Sequence, residues 1–316
     1  MQMRTLGRTG LSIAPVVFGG NVFGWTADEK TSFALLDAFF DVGYNAIDTA
    51  DVYSRWVGGH TGGESETIIG KWLKQGHVPR DKAVIVTKVG SDMGQGRTDL
   101  SAKWIAEAVE ASLRRLGSDY IDLYLAHWPD AGTQYEETLG AFAKLKAEGK
   151  IRAIGCSNLD ASQLAASFEA ARTAGLPRYD VLQPEYNLYS RSGFDGSLAD
   201  LCIAEDIGVI SYYALASGFL TGKYRTPEDG KGKARGSDIA DMLNDRGLRI
   251  LNALDAVASD TGTSAATVAI AWVAARPGIT APIASATSLA QLDALIKAGR
   301  LVLTPVQLDM LNTASA

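Results

Sequence analysis

The sequence has few cysteines, no long hydrophobic run and no excess of positive charge, and each absence excludes a class of protein. Only Cys156 and Cys202 are present in 316 residues, so disulfide bonds cannot organise the chain. No apolar stretch approaches the roughly 18 residues that a membrane span needs. A formal net charge of −6 gives no general attraction for nucleic acid or anionic membrane. The segment Met1–Gly7 lacks the apolar core of a signal peptide, so we expect a cytoplasmic protein.

Short apolar runs alternate with amphipathic helical segments along the whole chain. Such alternation indicates a parallel sheet, and eight repeats indicate a closed barrel rather than an open sheet. The predicted strands are Val16–Gly20, Tyr44–Asp48, Val84–Lys88, Ile121–His127, Ile151–Cys156, Val181–Gln183, Val209–Tyr212 and Ala281–Ala284. We therefore predict an α/β protein, a single-domain (β/α)8 TIM barrel over residues 1–316.

Local signals add detail to this barrel. Arg4–Leu11 is predicted to form an N-terminal β-hairpin, and Ser101–Leu116 a helix that Gly117 ends. Thr133–Glu136 fits a capping box at the start of another helix. Lys223–Arg249, rich in glycine and charge, predicts a long loop after the seventh strand that runs into a helix.

A third helix is predicted after Asp160, which has Gln163 three residues on and Gly175 beyond its end.

Polar side chains follow three of the predicted strands. Asp48, Lys88 and His127 each close an apolar run, and Tyr53 lies in the loop after Asp48. In a (β/α)8 barrel the carboxyl ends of the strands surround one mouth, which carries the active site. A phenol, an ammonium, a carboxylate and an imidazole at one mouth indicate proton transfer to a carbonyl oxygen.

The chemistry of these residues suggests a role for each. Lysine is rarely buried without a partner, so Asp48 is the expected counter-ion of Lys88. An ammonium near a phenol favours the phenolate, so we expect Lys88 to lower the pKa of Tyr53, the candidate general acid. His127 alone fits packing as well as function, and the other three residues favour function.

Two other chemistries fit the residues less well. Lys88 as a Schiff-base nucleophile would need a depressed pKa, whereas an adjacent Asp48 raises it. Metal-dependent hydrolysis would need a ligand cluster, but His60 and His77 have no metal-ligand spacing to His127. We therefore expect no metal site.

In these residues and in further segments, the chain resembles the aldo-keto reductase superfamily. The similar segments arrive in the family's order and cover nearly the whole chain. They are Asp48–Tyr53, Gly62–Glu66, Thr87–Lys88, Leu125–Asp130, Gly155–Asn158, Gln183–Leu188 and Leu220–Tyr224. Within this superfamily, the chain resembles the branch of bacterial reductases that are similar to potassium-channel β-subunits.

The resemblance implies reduction of small carbonyl compounds with NADPH, or alternatively NADH. It implies that Asp48, Tyr53, Lys88 and His127 form the family's catalytic tetrad, and that His127 orients the substrate carbonyl. It further implies nicotinamide contacts from four residues at the ends of the fifth to seventh strands. These residues are Ser157, Asn158 and Gln183 for the carboxamide and Tyr212 for stacking on the ring.

Other cofactor positions follow from the same resemblance. They are Gly20, Asn21, Ala214, Leu215, Gly218, Leu220, Lys223, Arg235, Ser285, Thr287 and Gln291. The chain departs from the family after the eighth strand, where many NADPH-using members carry Lys and Arg and this one has Ser285–Leu292. The resemblance therefore does not extend to the basic residues that contact the adenosine 2′-phosphate in those members.

Aromatic residues after strand ends predict the substrate pocket. Trp25, Trp56 and Trp128, with Phe219, fall in loops that should border the mouth. Aromatic walls favour apolar or aromatic aldehydes. A redox-sensing nicotinamide-binding subunit with low turnover is the alternative to an enzyme. The physiological substrate and the oligomeric state stay open.

Overall fold

The computed structural model describes residues 1–232 and 239–316, and it confirms the predicted barrel. Eight parallel strands close in the order β10-β3-β4-β5-β6-β7-β8-β9, and a separate antiparallel hairpin precedes them. The hairpin strands are β1 Arg4–Thr5 and β2 Ser12–Ile13. The barrel strands are β3 Val17–Gly19, β4 Ala46–Asp48, β5 Val84–Val89, β6 Ile121–Ala126, β7 Ile151–Ser157, β8 Val181–Gln183, β9 Gly208–Ser211 and β10 Ala281–Ala284.

Helices follow the strands and form the outer layer. They are α1 Glu29–Asp41, α2 Glu64–Lys74, α3 Ala102–Leu116, α4 Tyr135–Ala147, α5 Ala161–Ala174, α6 Ser197–Ala204, α7 Asp245–Thr261, α8 Ala265–Ala274, α9 Leu289–Ala298 and α10 Pro305–Ser315. None of the helices among the described residues is long and apolar enough to cross a bilayer.

The helix caps agree with the sequence in two places and differ in one. Asp160 and Gln163 form the predicted capping box of α5, and left-handed Gly117 ends α3. The capping box predicted from Thr133 is wrong, because α4 begins after Gln134 without a side-chain cap. The Thr133 hydroxyl instead donates to the Asp130 carboxylate, 2.7 Å away.

Two apolar layers hold the barrel. One lies between strands and helices, and the other fills the barrel interior with small and branched side chains such as Val86, Leu123 and Leu125. The N-terminal hairpin adds Leu6 and Ile13 to the interior layer and thereby plugs the amino-terminal end. The functional end of the barrel is therefore the opposite, carboxyl-terminal mouth.

The described residues between β9 and α7 contain no strand, in agreement with the predicted long loop. Short 3-10 turns occupy Ala216–Thr221 and Pro227–Gly230 before α7 begins. Arg225 ties this segment to α7, since its Nη2 donates to both carboxylate oxygens of Asp255 at 2.8 and 2.7 Å.

Candidate active site

Lys88 is the centre of a buried cluster at the carboxyl-terminal mouth. Its Nζ donates to Asp48 Oδ1 at 2.7 Å, to the Thr49 carbonyl at 2.8 Å and to Tyr53 Oη at 2.9 Å. The three ammonium hydrogens therefore each have an acceptor. Lys88 has no exposed surface, and Asp48 is 2% exposed. A fully buried lysine of this kind needs such partners, which agrees with the counter-ion predicted from the sequence.

Strand register and a strained loop bring these groups together. Asp48 pairs with Val86 across β4 and β5, so the Lys88 side chain stands beside the end of β4. Tyr53 comes five residues after Asp48 in the following loop. The next residue, Ser54, has a left-handed backbone conformation, with φ of 73°. The Ser54 hydroxyl donates to the Phe23 carbonyl at 2.7 Å and anchors this loop. Non-glycine residues with positive φ are costly and concentrate at functional sites.

The expected fall in the pKa of Tyr53 is wrong for this arrangement. Burial, and after it the charge of Asp48, raises the pKa of the Tyr53 phenol well above its ordinary value. Burial also lowers the pKa of Lys88, although Asp48 opposes that change. The sequence showed that an ammonium would lie near the phenol, but it did not show how strongly burial would act. Tyr53 therefore holds its proton at neutral pH until an acceptor arrives.

His127 lies next to this cluster. Its ring centroid is 6.1 Å from that of Tyr53, and its backbone N–H donates to the Val89 carbonyl at 2.8 Å. Burial, and to a smaller degree the Lys88 charge, lowers the pKa of His127 well below its ordinary value. The imidazole is therefore neutral at pH 7. Ser91 Oγ lies 2.9 Å from His127 Nδ1, a contact that no sequence signal indicated.

The four residues predicted to contact nicotinamide also converge. Tyr212 Oη donates to Asn158 Oδ1 at 2.7 Å, and Asn158 Nδ2 donates to the His127 carbonyl at 2.9 Å. The Ser157 hydroxyl donates to the Gln183 carbonyl at 2.7 Å. Asn158 itself is left-handed, with φ of 63°. The structure therefore joins these side chains into one network at the ends of β7, β8 and β9.

Gln183 connects this network to the Lys88 cluster. Its Nε2 donates to Asp48 Oδ2 at 2.7 Å, so both oxygens of that carboxylate have donors. Because a carboxylate only accepts, this bond fixes the amide and leaves Oε1 free of any hydrogen bond to the described residues. An amide oxygen at this position fits the amino group of a nicotinamide carboxamide. Asp48 is thus shared between the lysine and the candidate cofactor side.

The remaining cofactor positions fall into two groups, and the first lies after β9. Ala214 and Leu220 are buried, so only their backbone could contact a ligand. Gly218 follows two left-handed residues and has φ of 96°, and a side-chain carbon there would lie 3.9 Å from Lys223 Nζ. Leu215 caps this turn, since its carbonyl accepts from the Gly218 and Leu220 N–H groups. The exposed ammonium of Lys223 thus lies beside a turn whose glycine has no side chain, and this arrangement fits a phosphate group.

The second group joins the loops after β3 and β10. Ser285 Oγ donates to Asn21 Oδ1 at 2.7 Å. Gly20 lies so close to β4 that a side-chain carbon there would meet the Asp48 carbonyl at 3.0 Å. Gln291 Oε1 accepts from the Thr287 N–H at 2.8 Å and from its hydroxyl at 3.1 Å.

Arg235, the other cation predicted to contact the cofactor, lies outside the described residues.

Aromatic side chains border the mouth. Trp25 and Trp56 pack edge to face with centroids 5.6 Å apart, and Trp56 lies 6.0 Å from Tyr53. On the other side, Trp128 stacks on His127 at 5.8 Å. Trp56 and Trp128 are 50% and 44% exposed, so both present surface to a ligand.

One predicted wall residue is wrong, and one was missed. Phe219 has no exposed surface because it packs inward against Tyr189 and Gly247. Tyr213, 45% exposed and 5.1 Å from the Tyr212 ring, is an aromatic side chain at the mouth that was not among the predicted pocket residues. Within residues 1–232 and 239–316, no three His, Cys, Asp or Glu side chains are grouped to hold a metal ion.

The fold and these contacts define a (β/α)8 barrel with a candidate proton-transfer site at its carboxyl-terminal mouth. The model of the aldo/keto reductase family matches residues 15–316, and the chain belongs to this family. Membership supports an oxidoreductase that acts on carbonyl compounds with a nicotinamide cofactor.

Relatives from plants and bacteria are similar over almost the full chain. A probable voltage-gated potassium channel subunit beta of Oryza sativa subsp. japonica is 36% identical over 322 residues, which cover 99% of this chain and 96% of the relative. The uncharacterized oxidoreductase YrpG of Bacillus subtilis is 36% identical over 320 residues, with 99% and 95% covered. The aldo-keto reductase YhdN of the same bacterium is 33% identical over 306 residues, with 93% and 88% covered.

Proposed function

We propose that the protein reduces aldehydes or ketones to alcohols with NAD(P)H, with Tyr53 as the proton donor. The observation that carries this proposal is the contact of one buried ammonium with both Asp48 and the Tyr53 oxygen, at 2.7 and 2.9 Å. A cation bonded to a phenol oxygen stabilises the negative charge that develops when the phenol loses its proton. Few structural roles require an ammonium at that atom.

The proton leaves from Tyr53 Oη. Its hydrogen bond to Asp48 Oδ1 is long, at 3.3 Å, so the hydroxyl can turn toward a stronger acceptor such as a carbonyl oxygen. Lys88 then holds the phenolate, and Asp48 together with the Thr49 carbonyl holds Lys88 in place. His127 lies close enough to bind the same carbonyl oxygen and orient it.

A bound reduced nicotinamide supplies the hydride in this reaction. Ser157, Asn158 and Gln183 would bind its carboxamide, and the Tyr212 ring would stack on it. The Tyr212 hydroxyl donates to Asn158 Oδ1, which holds the ring at the end of β9. Preorganised side chains of this kind reduce the entropy lost when a ligand binds.

We further propose that the substrates are apolar or aromatic aldehydes. Exposed Trp56 and Trp128 stand on the two sides of Tyr53 and His127, and Tyr213 adds a third exposed ring. Such walls bind flat apolar groups better than phosphorylated sugars. Benzaldehyde-type compounds should therefore have the higher kcat/KM, and a clear preference for sugar phosphates would contradict this substrate class.

NADPH is the cofactor we favour over NADH. Lys223 is the exposed ammonium beside the left-handed turn at Gly218 and can bind a phosphate. Tryptophan fluorescence titration of both cofactors tests this, and Lys223→Ala should weaken NADPH more than NADH. Lys231→Ala is the matched control, because Lys231 is in the same loop but pairs with Glu228 at 3.4 Å. Equal dissociation constants for both cofactors would refute the preference.

The decisive experiment is a panel of carbonyl compounds assayed with NADPH and NADH at the cofactor absorbance. Multiple turnovers that depend on both cofactor and carbonyl would support the enzyme. The second candidate, a redox-sensing nicotinamide-binding subunit, is favoured by the channel-subunit name of the rice relative. For such a subunit, bound cofactor would be oxidised about once per chain and steady-state turnover would be absent. The complete Asp48–Lys88–Tyr53 cluster favours turnover.

A further inference from the structure

Ser91 and His127 form a buried pair beside the proposed proton donor. Ser91 Oγ lies 2.9 Å from His127 Nδ1, and the two residues are 5% and 8% exposed. We propose that the Ser91 hydroxyl donates to Nδ1, which places the single imidazole proton on Nε2 and makes His127 a hydrogen-bond donor to the substrate carbonyl. The inference rests on the proposed function, because a carbonyl must reach this site for the donor to matter.

The direction of this hydrogen bond follows from what each partner can do. Burial and the Lys88 charge keep His127 neutral, so only one ring nitrogen carries a hydrogen. If Nδ1 carried it, the Ser91 hydroxyl hydrogen would be buried without an acceptor, since Ser91 Oγ has no other hydrogen-bond partner within the described part of the chain. A buried unsatisfied donor is costly, whereas the reverse direction satisfies both groups.

Both partners are held from several sides. Asn158 Nδ2 and the Val89 carbonyl bond the backbone of His127, and Trp128 stacks on its ring with an interplanar angle of 13°. The Ser91 carbonyl accepts from Gln95 Nε2 at 3.0 Å. These contacts fix the backbone of both residues and the plane of the imidazole, which favours a tautomer set before a substrate binds.

The tautomer decides whether His127 helps or opposes the reaction. With the proton on Nε2, a carbonyl oxygen meets two donors, Tyr53 Oη and His127 Nε2, as its negative charge develops. With the proton on Nδ1, the Nε2 lone pair would repel that oxygen. Among the described residues, the Ser91 hydroxyl hydrogen-bonds to His127 alone and touches neither Tyr53 nor Lys88, so Ser91 acts as a positioning residue.

Nuclear magnetic resonance of the free protein tests the inference directly. The chain has three histidines, so 15N-histidine labelling gives three ring spin systems, and loss of one in His127→Gln assigns it. We expect the Nε2–H form for His127 in the wild type. In Ser91→Ala the Nδ1 resonance should move and the Nδ1–H form should gain population, while Ser91→Thr should keep the wild-type pattern.

Kinetics supply a second readout. Ser91→Ala should lower kcat/KM by about tenfold, the scale of one lost hydrogen bond, with cofactor affinity unchanged. Ser91→Thr should restore most of that activity. Ser167→Ala is the matched control, because it removes an equally buried hydroxyl that bonds the Leu164 carbonyl on α5, away from the mouth.

The outcomes separate this inference from the proposed function. A wild-type His127 in the Nδ1–H form would overturn the inference, even if the enzyme reduces carbonyls. Unchanged ring-nitrogen resonances in Ser91→Ala would overturn it as well. Absence of cofactor-dependent turnover in the wild type would instead refute the proposed function, and the tautomer could still be measured.

Discussion

The two ends of the barrel each bury an aspartate near a cation and a tyrosine, but they arrange these groups differently. At the carboxyl-terminal mouth the cation is Lys88, which donates to Asp48 and directly to the Tyr53 oxygen. The lysine is wholly buried, and burial lowers its pKa. Its charge therefore acts on the atom that would lose a proton.

At the amino-terminal end the cations are two arginines. Arg80 and Arg152 contact Asp122 at 2.8 and 3.1 Å, and the Ile85 N–H also donates to this carboxylate at 3.0 Å. Both guanidinium groups lie over the Tyr120 ring, at 4.1 and 3.8 Å from its centroid. Here the cations contact the face of the ring rather than its phenol oxygen.

The comparison shows that residue composition alone does not distinguish the proposed proton-transfer site from the other cluster. Both clusters contain a carboxylate, a phenol and a cation over its ring, but of these three cations only Lys88 also donates to the phenol oxygen. Contact with the ring face stabilises the fold. Contact with the phenol oxygen would stabilise a phenolate, as the proposed proton transfer requires. Each cluster therefore supplies matched controls for the other.

The largest expected effect comes from removing the phenol oxygen at each end. Tyr53→Phe should lower kcat by on the order of 10²-fold or more, the scale of general acid catalysis, with cofactor affinity near wild type. Tyr120→Phe should leave kcat nearly unchanged. Steady-state kinetics and cofactor titration of both purified variants measure this. Near-normal turnover in Tyr53→Phe would refute its assignment as the proton donor.

Removing the cation should lower activity at the carboxyl-terminal mouth and lower stability at the amino-terminal end. Lys88→Met should be about as damaging to kcat as Tyr53→Phe, because nothing then stabilises the phenolate. Arg80→Met should instead lower the free energy of unfolding by about 1–3 kcal/mol while the folded protein stays active, since Asp122 loses one of its donors. Urea unfolding and kcat per folded molecule are the measurements. A folded Lys88→Met protein with wild-type turnover would contradict the comparison.

Replacing the aspartates, Asp48 and Asp122, should give a smaller difference in kcat between the two ends than replacing the cations. Asp48→Asn keeps an acceptor for Lys88 but removes the charge, so we expect a loss in kcat of about tenfold, milder than for Lys88→Met. Asp122→Asn should reduce stability and leave kcat unaffected. Kinetics and unfolding of the two variants, measured side by side, test this order. If Asp48→Asn proved far worse than Lys88→Met with the fold intact, the order of roles would be wrong.

The sequence predicted the barrel and the convergence of the site because both follow from simple periodicity. Apolar runs mark parallel strands, and the residues after them must meet at one mouth. This is why Asp48, Lys88 and His127 could be brought together without a structure. The same strand pattern puts Ser157 and Gln183 at neighbouring strand ends, but it was the family resemblance that singled them out as cofactor contacts.

The remaining features depend on distances that no periodicity encodes. The direction of the pKa shift at Tyr53 depends on how deeply the phenol is buried. The Ser91 contact and the exposure of Tyr213 depend on loop conformation, and Tyr213 is left-handed, with φ of 59°. The predicted capping box at Thr133 does not form, because the Thr133 hydroxyl donates to Asp130 instead of capping α4. Local sequence signals could not show which of these partners would come closest.

A third buried aspartate, Asp51, sharpens the comparison because it lacks a cationic partner. It is 2% exposed, and neither carboxylate oxygen makes a hydrogen bond to the described residues. Burial, and after it the nearby Glu66 charge, raises the pKa of Asp51 well above its ordinary value, although Arg115 and Lys88 oppose the rise. Asp51 is therefore uncharged over a range of pH in which an exposed aspartate is ionised.

Asp51→Asn should show a small stability effect that depends on pH. Because the folded-state pKa of Asp51 is raised, its stabilising contribution is complete below the unfolded pKa of about 3.9 and is lost as the pH rises toward and through the folded-state pKa. Asparagine has no such proton, so the variant should match wild type at acidic pH and gain about 1–3 kcal/mol over it at pH ~8. Urea unfolding at both pH values measures the difference, with Asp122→Asn, destabilised at both, as control. A variant less stable than wild type by the same amount at both pH values would contradict the raised pKa of Asp51.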